Sequence, residues 1–182
     1  MFHWQEEKFT LAQIEAQKCV VGSLFAIVVI KPLNMLLLGE GYARSMGLNV
    51  QTEDLFDQVN FDEFDMIVLP GGMPGTLNLK NHEGVRQIVT AFAQEEKLVG
   101  AICAAPTVLA DLGLLEGKKA TCYPACEPDM ADAVLTGAPV TVDGNLITSR
   151  GVGTAIDFAL ELISVLVGQE MAKKIASDIV YE

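Results

Sequence analysis

Cys103 is the residue of this chain whose type and position best suit nucleophilic chemistry. It follows an apolar run over residues 98–102 that is typical of a buried strand, and it precedes a helical pattern over residues 104–112. A thiol at such a strand-to-helix junction, the geometry of a nucleophile elbow, lies near helix N–H groups and the positive end of the helix dipole, and both favour the reactive thiolate. The position alone leaves two interpretations open, because a free cysteine is often a small buried hydrophobic residue.

The remaining thiols and imidazoles do not form a recognisable metal site. The chain has four cysteines and two histidines, and Cys122 and Cys126 have a C-x3-C spacing. Zinc sites use richer sets of ligands than this, so no metal is expected. A disulfide framework is not expected either, because such frameworks belong to smaller, cysteine-dense secreted domains. The sequence therefore predicts reduced thiols in a cytoplasmic protein.

The elements that must position Cys103 alternate between strands and helices. An apolar run over residues 65–69 ends at a Pro-Gly-Gly loop, and Asp-Gly-Asn at residues 143–145 separates two short apolar runs, which predicts a hairpin. Further elements are predicted as a helix over 82–96, a strand over 120–123, and helices over 154–167 and 169–179. This alternation predicts an α/β fold with a mostly parallel sheet and helices on both faces, in a single domain over residues 1–182. The pattern of residues 1–50 leaves their strands unplaced.

Charge and hydropathy exclude some classes of partner. The formal net charge is −12, and the 12 lysines and arginines are scattered along the chain. A nucleic-acid backbone would be repelled by this charge, so no nucleic-acid partner is expected. The apolar run over residues 19–30 is shorter than the roughly 20 residues that a membrane span needs, so no membrane association is expected.

Four short segments, in one order and at sensible spacing, resemble motifs of the DJ-1/ThiJ/PfpI superfamily. Residues 101–106, AICAAP, resemble its AICA-x-P segment, and residues 69–75, LPGGMPG, resemble its glycine loop. Residues 148–154, TSRGVGT, resemble its TSRGPGT segment, with Val152 where proline is usual. Residues 117–124 correspond to a family strand that leads toward the site. The resemblance implies a three-layer α/β sandwich of the flavodoxin-like, class I glutamine amidotransferase-like kind, and it favours the reactive interpretation of Cys103.

The resemblance also implies a set of site residues. Residues 13–16, QIEA, resemble the family segment whose glutamate lies against the thiol, which makes Glu15 the expected acid–base residue. The implied set is Cys103 and Glu15 as catalytic residues, Gly71, Gly72 and Ala104 as donors of backbone N–H groups to an oxyanion, and Arg150 and Tyr123 as supporting residues.

The histidine that many family members carry beside the thiol is missing here. Ala104 follows the thiol, which argues against the peptidase branch, and Tyr123 stands at the other usual place for the histidine. A tyrosine can donate a hydrogen bond but is a poor base at neutral pH. His82 is predicted at the start of a surface helix rather than in the site. Cys122 is either a strand core residue, which is favoured, or a second thiol of the site.

The resulting functional hypothesis is an enzyme of the glyoxalase or deglycase type. Cys103 would attack a small reactive aldehyde, Glu15 would transfer protons, and no cofactor would be needed. The alternative is a non-enzymatic oxidative-stress sensor or chaperone in which an oxidant modifies the same cysteine. The resemblance further implies a homodimer.

Overall fold

The structure is a computed structural model, and it describes Phe56 and residues 59–181 of the 182-residue chain. The predictions for residues 1–50, including the position of Glu15, lie outside the described residues. Five helices are described, together with three short 3₁₀ segments at Phe61–Glu63, Pro124–Met130 and Val152–Thr154. The helices are α1 (Gly75–Asn81), α2 (Glu83–Gln94), α3 (Pro106–Asp111), α4 (Ala155–Val167) and α5 (Gln169–Asp178).

A four-stranded sheet forms the centre of the described residues. The strands are β1 (Met66–Leu69), β2 (Leu98–Ile102), β3 (Lys119–Ala120), β4 (Val134–Leu135), β5 (Val140–Asp143) and β6 (Leu146–Ser149). The central sheet has the order β1-β2-β6-β5, and β3 pairs with β4 in a separate two-stranded sheet. β2 pairs in parallel with β1 and β6 on either side, whereas β5 and β6 form an antiparallel hairpin. The prediction of an interior parallel strand leading into Cys103 is confirmed.

Helices cover both faces of this sheet, as predicted. Val99 and Ala101 of β2 belong to a core cluster with Val89 and Phe92 of α2. Ile102 belongs to a second cluster with Phe158 of α4. Successive strand residues point to opposite faces, so the odd and even positions of β2 reach different helices.

The hairpin follows the sequence prediction closely. β5 ends at Asp143 and β6 begins at Leu146, and Gly144 has a φ of 62° in the turn between them. The Asn145 side chain donates to the carbonyl oxygens of Ala93 and Lys97 at 3.0 and 2.8 Å. The turn is therefore tied to the connection between α2 and β2, which fixes the position of β6 beside β2.

Three local predictions need correction. α1 was not predicted. The third strand covers only Lys119–Ala120, because the N–H of Thr121 donates to the side chain of Thr148 instead of continuing a strand ladder. α3 begins at Pro106 rather than at residue 104, since a separate turn comes first.

None of the helices among the described residues has the length and hydrophobicity needed to cross a membrane.

Candidate active site

Cys103 adopts a strained backbone conformation at the carboxyl end of β2. Its φ is 65°, in the left-handed region that residues other than glycine rarely occupy. Its N–H donates to the carbonyl oxygen of Ser149 at 3.0 Å, and its own carbonyl oxygen accepts from the N–H of Tyr123 at 2.9 Å. Strain of this kind costs about 1–3 kcal/mol and persists where the surrounding contacts enforce it. The two hydrogen bonds and the packing described below are those contacts.

The turn after Cys103 is short and internally bonded. The N–H of Ala105 donates to the carbonyl oxygen of Ile102 at 3.1 Å, and the hydroxyl of the buried Thr107 donates to the carbonyl oxygen of Ala104 at 2.8 Å. Pro106 then opens α3, where its fixed φ suits the first helical position. The predicted elbow is confirmed in outline, but two residues separate the thiol from the helix. The direct dipole argument for a thiolate is weaker for that reason.

Gly71 allows the glycine loop to pack directly against this turn. A Cβ at Gly71 would lie 2.5 Å from the Cβ of Cys103, 2.6 Å from the carbonyl oxygen of Ile102 and 3.0 Å from the backbone nitrogen of Ala104. Atoms that are not bonded do not approach so closely, so only glycine fits here. Gly71 therefore packs against the elbow through its backbone, and the role of Gly71 and Gly72 as donors to an oxyanion stays a prediction.

Two backbone N–H groups lie on the turn and the loop that adjoin the thiol. Among the described residues, the backbone N–H groups of Gly72 and Ala104 donate to no acceptor. Gly72 has a φ of 95°, and its carbonyl oxygen accepts from the N–H of Thr76 at 2.8 Å, which begins the turn into α1. Free N–H groups near a nucleophile are the donor type that stabilises an oxyanion.

A third segment closes the site on the side of Gly151. A Cβ at Gly151 would lie 3.8 Å from the Cys103 sulfur and 3.7 Å from the Tyr123 ring, so sulfur and ring both face this glycine. The N–H of Gly151 donates to the Thr154 hydroxyl at 3.2 Å, and that hydroxyl is hydrogen-bonded to the Ser149 hydroxyl at 2.7 Å. Sequence reasoning did not select Gly151, Ser149 or Thr154. The TSRG-x-GT segment was the signal that could have identified them.

The two predicted supporting residues lie at the same edge. Tyr123 is 50% exposed, and its main chain contacts Cys103 as described above. Arg150 is partly buried, and its Nε atom is buried without a hydrogen-bond partner among the described residues. A buried guanidinium nitrogen without a hydrogen-bond partner is costly, and within the described residues this atom has none.

Cys122 and His82 have structural roles. Cys122 is 1% exposed, and its thiol donates to the Tyr123 carbonyl oxygen at 3.3 Å. Burial raises the pKa of Cys122 to about 12, whereas the guanidinium of Arg150 opposes the shift. His82 precedes α2, and its Nδ1 accepts from the N–H of Val85 at 3.2 Å, which is a helix-capping contact. The position of His82 agrees with its sequence interpretation, whereas Cys122 is buried as favoured but lies beyond the end of β3 rather than in a strand.

Two open grooves of the described residues lie away from the thiol. An open groove of about 460 Å³ lies between α4 and α5, and one of about 390 Å³ lies along α2, but neither is lined by Cys103. Within the part of the chain that the structure describes, no group of three or more His, Cys, Asp or Glu side chains is arranged to hold a metal ion.

The fold and the site together define an α/β protein with a mostly parallel sheet and a strained cysteine at a nucleophile elbow, at the end of a central strand. The chain belongs to the DJ-1/PfpI family, whose sequence model matches residues 18–165.

Individual relatives support the assignment. The chain is 40% identical over 134 residues to the DJ-1 homolog A of Arabidopsis thaliana, covering 72% of this chain and 34% of that protein. It is 36% identical over 122 residues to a deglycase of Pyrococcus abyssi, covering 66% of this chain and 73% of that protein. The crystal structure of Drosophila melanogaster DJ-1beta superposes with a TM-score of 0.71 at 36% identity, covering 76% of this chain and 75% of that one. The chain spans only about a third of the length of its Arabidopsis relatives.

Proposed function

We propose that this protein acts on small reactive carbonyl compounds, as a glutathione-independent glyoxalase or a deglycase, with Cys103 as its nucleophile. The observation that carries the proposal is the strained elbow, with φ 65° at Cys103 and two N–H groups on the adjoining turn and loop that donate to no acceptor among the described residues. The family assignment and the relative named as a deglycase support the choice of carbonyl substrates.

The proposed chemistry begins with attack of the Cys103 thiolate on the aldehyde carbon. A carbon–sulfur bond forms, and the carbonyl oxygen becomes an oxyanion that the N–H groups of Gly72 and Ala104 would stabilise before it is protonated. With a 2-oxoaldehyde, a proton then moves from the hemithioacetal carbon to the neighbouring carbonyl carbon, which yields a thioester. Water hydrolyses the thioester to a 2-hydroxy acid and restores the thiol. Glu15 is the proposed acid–base residue for these proton transfers.

Tyr123 and Arg150 have supporting roles in this proposal. The Tyr123 hydroxyl can donate a hydrogen bond to the substrate, but it replaces a histidine that many family members place beside the thiol. The proton transfers therefore depend on Glu15 alone. The unpaired Nε of Arg150 would help to hold a substrate oxygen at the same edge.

The test is turnover of methylglyoxal without glutathione. Wild type is expected to turn over, Cys103→Ser to show no turnover, and Glu15→Gln to be slower by about 10²-fold or more while its circular dichroism stays unchanged. Cys126→Ser is the matched control, because it also replaces a partly buried thiol with a hydroxyl but leaves turnover intact. Absence of turnover in wild type, or full turnover by Cys103→Ser, would contradict the proposal. Wild-type turnover by Glu15→Gln would remove Glu15 from it.

A second candidate is an oxidative-stress sensor or chaperone that uses the same thiol without turnover. Three cysteines lie around Tyr123, which favours this candidate specifically. Stoichiometric consumption of peroxide without consumption of aldehyde would support it over the enzyme. In either case the proposed working form is a homodimer, and light scattering at micromolar concentration would test that form.

A further inference from the structure

The main chain of Tyr123 forms hydrogen bonds with all three cysteines among the described residues. Its N–H donates to the carbonyl oxygen of Cys103 at 2.9 Å. Its carbonyl oxygen accepts from the N–H of Cys126 at 2.8 Å and from the thiol of Cys122 at 3.3 Å. Hydrogen bonds through one residue therefore bring two further cysteines close to Cys103 in the fold, and the aldehyde chemistry proposed above uses neither of them.

Cys126 is better placed to react than Cys122. Cys122 is 1% exposed, and its thiol is already committed to the Tyr123 carbonyl oxygen. Cys126 is partly buried and lies in the 3₁₀ segment Pro124–Met130. A short segment of this type has poor hydrogen-bond geometry and adjusts more easily than an α-helix.

We propose that Cys126 is the resolving thiol for Cys103, so that peroxide converts the two residues into an intramolecular disulfide. In the first step the Cys103 thiolate takes one oxygen from the peroxide, the O–O bond breaks, and the other oxygen leaves and is protonated to water or an alcohol. In the second step the Cys126 sulfur attacks the sulfenic sulfur. The S–S bond forms, the S–O bond breaks, and the departing hydroxide takes the thiol proton to form water.

The charges in the cluster connect the two steps. Burial raises the pKa of Cys126, and the negative charges of a Cys103 thiolate and of Asp129 raise it further. Oxidation to a neutral sulfenic acid removes the charge of Cys103, so one cause that keeps Cys126 protonated disappears when its attack is needed. The charge of Cys103 also raises the pKa of Cys122, so the preference for Cys126 rests on exposure: Cys122 is 1% exposed, whereas Cys126 is only partly buried.

The disulfide would change the fate of the oxidised thiol. A sulfenic acid without a partner is oxidised further to sulfinic acid, which is irreversible in the absence of a dedicated repair enzyme. A disulfide with Cys126 is reversible by a thiol reductant. Cys126 is thus a protective residue in this inference, and its role does not require aldehyde turnover.

The experiment treats the full-length reduced protein with one equivalent of hydrogen peroxide and determines thiol content, intact mass and peptide linkage. Trypsin separates the two residues, because Cys103 lies in the peptide 98–118 and Cys126 in the peptide 120–150. Wild type is expected to lose two thiols and two hydrogen atoms per chain, and fragmentation should assign the cross-link to Cys103 and Cys126. Dithiothreitol should reverse the change completely.

Three single variants make the assignment specific. Cys126→Ser should form no cross-link; Cys103 should instead gain one oxygen atom from the first equivalent of peroxide and a second oxygen atom from a second equivalent. Cys122→Ser, whose hydroxyl can still donate to Tyr123, and Cys19→Ser should both form the cross-link as wild type does. A sulfinic acid without any disulfide in wild type, or a disulfide that uses Cys19 or Cys122, would overturn the proposal. A cross-link in a protein that does not turn over methylglyoxal would sustain this inference while refuting the carbonyl activity.

Discussion

Gly71→Ala tests whether the close approach of the glycine loop is what holds Cys103 in place. The added methyl group would lie 2.5 Å from the Cβ of Cys103 and 2.6 Å from the carbonyl oxygen of Ile102. Ordinary van der Waals contacts begin near 3.4 Å, so the loop and the elbow must separate by almost 1 Å. Two of the three nearest atoms belong to the backbone, and neither can rotate away as the end of a side chain could.

The expected cost lies at the upper end of the range for overpacking, about 3 kcal/mol. For a chain of this size that corresponds to a fall in Tm of about 6–12 °C. The rate at which iodoacetamide alkylates Cys103 should also change by about tenfold or more, because the sulfur is displaced relative to the N–H groups of Gly72 and Ala104. This rate is measured by peptide mapping at a temperature where the variant is folded.

Gly153→Ala is the matched control for this experiment. The new Cβ would meet no atom within 4 Å, and the residue lies in the neighbouring 3₁₀ segment Val152–Thr154. Its stability should stay within about 0.5 kcal/mol of wild type, and the alkylation of Cys103 should not change. If Gly71→Ala kept both the Tm and the alkylation rate of wild type, the reasoning from backbone contact would be refuted.

Two further predictions follow from ionisable side chains. Burial raises the pKa of Cys122 from about 9 to about 12, so the thiol ionises in the unfolded state before it does in the folded state as pH rises. The free energy of unfolding should therefore fall by about 2 kcal/mol between pH 8 and 10.5 because of this residue alone. Cys122→Ser should lack that part of the alkaline loss in urea titrations, and equal slopes for both proteins would contradict the prediction. Asp111 lies 2.6 Å from Arg86 and 3.0 Å from Lys80, and these two cations hold the pKa of the Asp111 carboxyl below its ordinary value. The ionised carboxylate therefore stabilises the fold above about pH 4, and this stabilisation is lost as pH falls. Asp111→Asn should therefore be less stable at pH 7 by about 0.2–1 kcal/mol but equal to wild type near pH 2, and a difference that persists at pH 2 would rule out the ionic cause.

The sequence was sufficient where a local pattern coincides with a complete element. The apolar run ending at Ile102 predicted β2 because a strand buried on both faces needs apolar residues at every position. The Asp-Gly-Asn turn predicted the β5–β6 hairpin because Gly144 adopts the positive φ that such turns require. These two elements place Cys103 and Ser149 at the same edge of the sheet.

The sequence was insufficient where distant contacts decide the local structure. The predicted strand over residues 120–123 ends early because Thr121 and Tyr123 donate to Thr148 and Cys103 instead of to a strand partner. α1 was missed because Gly75–Asn81 follows a Pro-Gly-rich loop and shows little helical apolar spacing. Neither outcome depends on a propensity that can be read from one segment. Glu15 stays a prediction, since it lies outside the described residues.

The geometry of the elbow depends mainly on atoms that every residue has. The hydrogen bonds that hold Cys103 involve only the main chain of Ser149 and Tyr123, so the half-exposed position 123 could carry another side chain without moving the thiol. Gly71 is different, because the structure leaves no room for a Cβ there. The placement of the sulfur is therefore encoded by one glycine and the sheet order, whereas the chemistry around the sulfur is encoded by side chains that can vary independently. The tyrosine at position 123 and the second cysteine at position 126 thus surround Cys103 without fixing where it lies.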